Sequence, residues 1–424
     1  MQDHLGLDAF ERLVQRSCDV SLAYGWLLHL LGCEQCRSTF VSAFPGEGSR
    51  FLREIFDTQR PVELPELRDP KNVERILAHL KDCGLESFLH RRPAPPPLEK
   101  LLGHPLPRRK LLVRNCKRFH CLEMAQHLLD QSRFLWHEDA REGLACAELG
   151  LLVLDCLSPS EYHPKLLEDF RAMAWGMVGN GQRIFSDLRA ADASLQRARE
   201  HLDRGTGDVF EHAEILSMLS TLRKEQRRLA EALALTERSA ELYLEAGDRS
   251  RAAGALARRI GILMSSGQAV QACEVGEKLL EDFDTDELDR LHLVGIQQNL
   301  ALAMVKAGWA LPALRRLRLL YRQVKENGLG HLTRLRLAWS EARVLHRLGE
   351  LDTAEAMYRE LRESFEAGGL AVDAALLSLD LAHVYRDQKK SRRSRRAARQ
   401  ALPFFVASEL EHLETRTRRI LEAS

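Results

Sequence analysis

The sequence predicts an all-α fold: a superhelical solenoid of about seven antiparallel helix pairs with a capping helix, preceded by a small helical N-terminal module. Three observations predict it. Ala, Leu, Glu and Arg dominate the composition, aromatics are 6% against 45% hydrophobic residues, and long alternating Val/Ile/Thr runs of strand type are missing. A motif returns about every 41 residues through the second half of the chain. Each returning unit carries apolar residues at helical spacing on both sides of a short turn.

The recurrence shows when the segments beginning at Arg227, Gly267, Gly308 and Gly349 are laid under one another. Small residues fall at Ala232, Ala272, Ala313 and Ala354, spaced 40, 41 and 41. Gly267, Gly308 and Gly349 stand five residues before three of them, and Gly247, Gly328 and Gly368 follow as helix-ending glycines. In the last clear unit, helix A spans about Leu332–Leu348, Gly349-Glu350 makes the turn, and helix B spans about Asp352–Ala367. Helix A offers Leu335, Leu337, Ala338, Ala342, Leu345 and Leu348; helix B offers Ala354, Met357, Tyr358, Leu361 and Phe365. Both sets follow helical spacing. Ala354 is small where helix B must approach helix A, and Tyr358 one turn on fills the gap. A lone pair cannot bury its apolar stripe, so neighbours must stack on it. Fainter copies pair residues 118–136 with 140–157, 164–185 with 188–203, and 208–224 with 229–246. Residues 371–388 with 392–405 make a seventh pair, and 409–422 reads as the cap.

Ala342, Gly349, Ala354 and Tyr358 resemble the small–Gly–small–aromatic signature of the tetratricopeptide repeat. The unit is longer than that family's 34 residues, by about two helical turns, and the proline which the family carries at the end of helix B is missing. The phrase His201-Leu202-Asp203-Arg204-Gly205-Thr206-Gly207-Asp208 also resembles a group of bacterial repeat proteins of unassigned function, a likeness that implies fold and no activity. The tetratricopeptide resemblance implies a concave groove lined mainly by helix A. Its groove positions fall on Arg336, Trp339, Arg343 and Arg347, with Gln298 and Lys306 in the preceding unit. A tryptophan among arginines suits an acidic or carboxylate-ended peptide; packing of Trp339 between repeats is the other reading.

The head of the chain is different material. The Pro-rich stretch Arg91–Lys110 forbids helix continuation, and Pro61, Pro65 and Pro70 form a second group before a short helical stretch, Asn72–Leu89. The expected organisation is a module at 1–58, a connector at 59–110 and an array at 111–424. Within the module, His29, Cys33 and Cys36 are spaced H-x3-C-x2-C. On a helix, residues four apart share a face, so this spacing offers three of the four N/S donors that zinc takes. A fourth must come from upstream, from His4 or Cys18. Two buried cysteines beside a histidine, or a Cys-x-x-Cys redox pair, are the competing readings. The pattern resembles the zinc-binding anti-sigma family, on which His29, Cys33 and Cys36 take the signature positions and His4 has the separation of the upstream ligand. That family often has cysteine there. The resemblance covers about 45 residues and implies contact with a sigma-type transcription factor.

A formal charge of +1 predicts no global attraction to nucleic acid or membrane. Nor does any apolar run approach the ~20 residues that span a bilayer. The N-terminal residues lack the features of a secretion signal, so reduced cysteines in a bacterial-type cytoplasm are expected. Cations do cluster at Lys389, Lys390, Arg392, Arg393, Arg395, Arg396 and Arg399, a density that could meet phosphate. With no aromatics interleaved, a solvated outer face is the plainer reading, and Arg395 is read at the small-residue position of the last pair. A second cluster, Arg108–Arg118, reads as a solvated helix start. Phosphate-loop, dinucleotide, G-x-S-x-G and H-E-x-x-H signatures are all lacking. The expectation is a non-enzymatic adaptor that binds a protein or peptide. The alternative is a signal-responsive transcriptional regulator touching nucleic acid through its basic faces.

Overall fold

The computed structural model describes residues 4–14, 26, 29–30, 33–43, 97–157, 162, 164–283, 288–326 and 330–422. Cys18, Gly328, the prolines at 61–70, the helix expected at 72–89 and the connector before Pro97 lie outside the described residues. All regular structure among the described residues is helical. None of these helices is long and apolar enough to cross a membrane.

Near the N-terminus, α1 (Leu7–Val14) and α2 (Glu34–Ala43) share a small core. Phe10 meets Phe40 edge-on at 5.2 Å, and Leu13, Leu30 and Cys36 are buried beside them. From Pro97 onward the chain folds onto the array through α3 (Glu99–Leu102), α4 (Leu106–Asn115) and a 3-10 turn at Lys117–Phe119. Pro107 does not prevent this, because it sits in the first turn of α4, where its missing N–H costs nothing. Leu101, Val113 and Phe119 are buried in one cluster with Leu128 and Leu149. Arg109 is bonded to Glu142 and to the carbonyls of His104 and Leu102, and Lys110 reaches Glu148 at 2.8 Å. Residues 97–110, read from sequence as the tail of a connector, thus belong to the array. Two cations of the Arg108–Arg118 cluster are paired there.

Seven helix pairs follow: α5 (Leu122–Leu135) with α6 (Ala140–Asp155), α7 (Pro164–Ile184) with α8 (Leu188–Leu202), α9 (Val209–Glu225) with α10 (Leu229–Glu245), and α11 (Arg249–Ser265) with α12 (Ala269–Asp282). The last three are α13 (Arg290–Lys306) with α14 (Ala310–Glu326), α15 (His331–Arg347) with α16 (Leu351–Ala367), and α17 (Ala371–Asp387) with α18 (Ser391–Ala407). The final helix, α19 (Glu411–Glu422), packs on α18 as the cap. The architecture is the all-α, tetratricopeptide-like array that the 41-residue register predicts.

The register is written in the turns. Six turns inside pairs place a residue in the left-handed region: Ser186, Arg227, Gly267, Gly308, Gly349 and Lys389. The next N–H then closes back onto the preceding helix, as in Glu350 N to Leu345 O at 3.0 Å and Lys390 N to Tyr385 O at 2.8 Å, which satisfies carbonyls the helix end leaves open. Five residues beyond each left-handed residue stands a buried small one: Ala191, Ala232, Ala272, Ala313, Ala354 and Ser394. In the last pair the small position is therefore Ser394, one residue before Arg395. Its hydroxyl donates to the Ala382 carbonyl at 2.8 Å, so a serine satisfies the close approach and α18 packs as tightly as its counterparts. In the first pair the equivalent residue is Gly143, where a Cβ would lie 2.9 Å from the Trp136 ring.

The superhelix curls until its beginning meets its end. Leu332 N donates to His137 O at 3.0 Å, and His331 N donates to Glu138 Oε2 at 2.9 Å. Trp136 and Ala140 of the first pair share an apolar cluster with Leu332, Phe365 and Leu377, and Leu144, Phe185 and Leu188 pack against it. Arg189 forms an ion pair with Glu409 at 2.8 Å. His137-Glu138-Asp139 is a helix end followed by a new start, since the Asp139 carboxylate caps α6. It is also the first half of this seam.

Candidate metal centre and the interior of the superhelix

His4, which precedes α1, is brought beside the start of α2 by the Phe10–Phe40 core. The Cys33 N–H donates to the His29 carbonyl at 2.8 Å, so the two side chains sit one helical turn apart on one face. Donor atoms of His4, His29, Cys33 and Cys36 all lie within 4.8 Å of one another. His4 Nδ1 is 3.5 Å from Cys33 Sγ and 3.4 Å from Cys36 Sγ, and His29 Nε2 is 3.2 Å from Cys36 Sγ. A tetrahedron with Zn–S of about 2.3 Å and Zn–N of about 2.05 Å requires S···N of about 3.6 Å. The donor set fits zinc in number, type and spacing. Leu5 N–H points at Cys36 Sγ from 3.4 Å, a bond of the kind that orients a metal-bound thiolate. All four ligands expected from sequence are thus brought together. Cys116, Cys121, Cys146, Cys156 and Cys273 belong to no such cluster among the described residues.

The expected groove residues have a different fate. Trp339 is 8% exposed. Its Nε1 donates to Asp380 at 2.8 Å, and its ring meets Phe365 at 5.6 Å. Arg343 lies over the same ring at 4.5 Å and bonds to Asp380 at 3.0 Å. Gln298 Nε2 donates to Arg336 O at 3.2 Å and Ser340 Oγ at 2.9 Å, and Lys306 Nζ donates to Met264 O at 3.1 Å. Packing between repeats is therefore the arrangement of Trp339, and four of the six residues stitch one pair to the next. With Phe365, Asp380 and Arg343 against its ring and Nε1, Trp339 presents no open face for a clamp. Arg347 remains exposed. Arg336 is half-buried, and its guanidinium makes no hydrogen bond or ion pair among the described residues.

Two cations outside the expected groove set, Arg183 and Lys224, line the same interior and share a register position with Lys306 and Arg347. The steps are 41 residues, with Ser265 at the one between, and that spacing was the signal available. Arg183 pairs with Glu225 at 2.6 Å, whereas Lys224 has no such partner among the described residues. Burial, reinforced by Arg183 and Arg258, holds the Lys224 ammonium below the ordinary lysine value despite adjacent Glu225. Burial also lowers Arg336 and Arg258, and it raises the Asp373 carboxyl in spite of nearby Arg336. Desolvation is the largest cause in each case.

On the outer face of α18, Lys389, Arg392, Arg393, Arg396 and Arg399 are exposed and Lys390 is half-buried. Glu355 accepts Lys390 at 3.3 Å and approaches Arg393 at 3.8 Å, while Arg393 also lies over Tyr385. The patch is a solvated outer face, partly neutralised. The His201–Asp208 phrase is a loop device. Glu168 accepts His201 at 2.9 Å and Arg204 at 2.7 Å, Asp169 accepts Thr206 N–H at 3.0 Å, and a Cβ on Gly205 would collide with Asp169.

No protein-family model matches this chain, and no curated protein matches it. Solved structures are similar in fold. Aspartyl phosphate phosphatase F from Bacillus subtilis superposes with a TM-score of 0.48 at 13% identity, over 97% of this chain and 96% of that one. A Rap protein complexed with competence and sporulation factor gives 0.45 at 13% identity, over 77% and 97%. A signal-transduction ATPase of the STAND class with a tetratricopeptide repeat sensor, from Pyrococcus horikoshii, gives 0.44 at 12% identity, over 99% and 72%. The likeness is one of helical-repeat architecture alone.

Proposed function

We propose that this chain is a non-enzymatic regulator in two parts. Its N-terminal module, held by one structural zinc ion, contacts a sigma-type transcription factor, and its helical array binds a second protein or a peptide. The observation that carries this reading is the convergence of His4, His29, Cys33 and Cys36 within 4.8 Å. Two histidines and two cysteines complete the zinc coordination shell, so no position is left for a water or a substrate. Such an ion supplies folding energy to a module too small for a large core. The array adds a long surface of the kind that serves recognition in helical repeats. The basic face of α18 gives less support to a nucleic-acid reading, because Glu355 already offsets two of its cations.

Affinity capture with the full chain tests the proposal. The intact protein retains a sigma-type factor, and Cys33→Ser with Cys36→Ser loses that partner while keeping partners bound by the array. Retention of the factor by the doubly substituted chain, or recovery of none by either, refutes the sigma assignment.

A further inference from the structure

Where the ends of the superhelix meet, a half-open cavity of about 440 Å³ lies between α7, α9, α15, α17 and the start of α19. Its volume lies in the usual small-molecule range of about 300–1,000 Å³. Four cations face it, Arg183, Lys224, Arg227 and Arg336, against two carboxylates, Glu225 and Asp373. Glu225 is engaged by Arg183, and Arg227 gives one N–H to the Ser265 carbonyl at 3.0 Å. Lys224 and Arg336 have no carboxylate oxygen within 4 Å among the described residues, and Asp373 attracts Arg336 only from farther away. Two positive charges without a direct ion-pair partner inside a half-buried wall are costly unless an anion joins them.

The rest of the wall has the opposite character. Val372, Leu376, Leu410 and Leu413 come from the last pair and the cap, whereas the cations come from the second, third and sixth pairs. A second cavity of about 620 Å³ adjoins the first, sharing Ser186, Arg227, Leu410 and His412, and leads past the Arg189–Glu409 bridge. Backbone conformation marks the same place independently. Among the described residues, four non-glycine residues adopt positive φ, and three of them, Ser186 at 62°, Arg227 at 64° and Glu409 at 55°, line these cavities. The turns equivalent to those of Ser186 and Arg227 use Gly267, Gly308 and Gly349, or Lys389 away from these cavities, and those equivalent to that of Glu409 use Gly247 and Gly369. A side chain kept where glycine is the easier residue points to a role for that side chain.

We propose that this seam is a receptor for a compact amphipathic dianion, a small molecule with a doubly negative head and an apolar body. The head sits between Lys224 and Arg336, and the body lies against Leu376 and Leu413. Because the wall is contributed by both ends of the array, the ligand fastens the closed superhelix. The inference is independent of the zinc module and of any macromolecular partner.

Calorimetric titration of the full chain at pH 8 tests it with phenyl phosphate, phenylmalonate, inorganic phosphate and phenol as probes. At least one of the first two binds saturably, and which of them binds tighter tells a phosphate head from a dicarboxylate. Inorganic phosphate binds at least about tenfold more weakly, and phenol does not bind. Lys224→Gln and Arg336→Gln each weaken binding at least about tenfold, as loss of a charge-assisted contact requires, yet both raise the melting temperature of the free protein by removing an unpaired cation. Leu376→Trp blocks phenyl phosphate and phenylmalonate and spares inorganic phosphate, while Arg399→Gln, on the outer face, changes nothing. Absence of saturable binding by both aromatic dianions overturns the proposal. So does binding that survives the double substitution of Lys224 and Arg336.

Discussion

Replacing Glu168 by glutamine removes the charge that holds the loop between the second and third pairs. Burial alone would raise this carboxyl, but hydrogen bonds from His201, Arg171 and Arg204 outweigh it and bring its pKa from the ordinary 4.5 down to about 2. Its side chain is 16% exposed, so solvent screens these contacts only in part. At about 1.4 kcal/mol per unit, the shift corresponds to about 3 kcal/mol of stability at neutral pH. The sign follows from the depression. The contribution is fully present above pH 4.5 and is lost as pH falls through 2. A repeat array opens locally, because each pair contacts mainly its neighbours, so amide hydrogen exchange over α7 and α8 is the suitable assay. Glu168→Gln should speed exchange there by up to about 150-fold at pH 7, the factor equivalent to about 3 kcal/mol. The difference from wild type should shrink steadily between pH 4.5 and 2. A difference that is the same at both ends of that window, or one confined to the C-terminal pairs, would refute the reasoning.

Two other substitutions probe the fold. Gly330→Ala sets a methyl group against the His137 backbone carbonyl, which cannot move aside as a side chain can. It should cost about 1–3 kcal/mol and speed exchange at residues 136–140 and 331–333, leaving α9–α12 unchanged. Arg223, its side chain 10% exposed, joins Asp192 of one pair to Glu231 of the next at 2.8 Å each. Arg223→Met should lower the urea midpoint by the equivalent of about 2 kcal/mol, less than the ~3–5 kcal/mol of a fully buried pair, because both carboxylates stay 38% exposed.

The array was legible because its constraint is periodic. A close approach every 40 or 41 residues demands a small side chain, and a tight turn five residues earlier demands a left-handed backbone, so Gly267–Ala272, Gly308–Ala313 and Gly349–Ala354 announce themselves. The copies that use Ser186, Arg227 and Lys389 were faint because the same conformation is met there without glycine. For the same reason the last pair was read one residue late, at Arg395 instead of Ser394. The candidate metal site was legible because zinc fixes donor type and spacing, whereas its fourth donor stayed open between His4 and Cys18, with His4 favoured only by the separation that the anti-sigma resemblance implies. What the sequence concealed is the curl. Local spacing says which face of helix A turns inward, but closure depends on small inter-pair angles accumulated over seven pairs. That accumulation brings the last pair and the cap across from the second and third pairs, so that Lys224 and Arg336 face one shared cavity.

Metal content bears most directly on the central claim. The full chain, purified without added chelator, should carry one zinc ion per molecule, with X-ray absorption showing two sulfur ligands near 2.3 Å and two nitrogen ligands near 2.0 Å. His4→Ala, His29→Ala, Cys33→Ser and Cys36→Ser should each lower the zinc content. Metal-free wild-type protein refolded with zinc present, or zinc content unchanged by all four substitutions, would contradict the account.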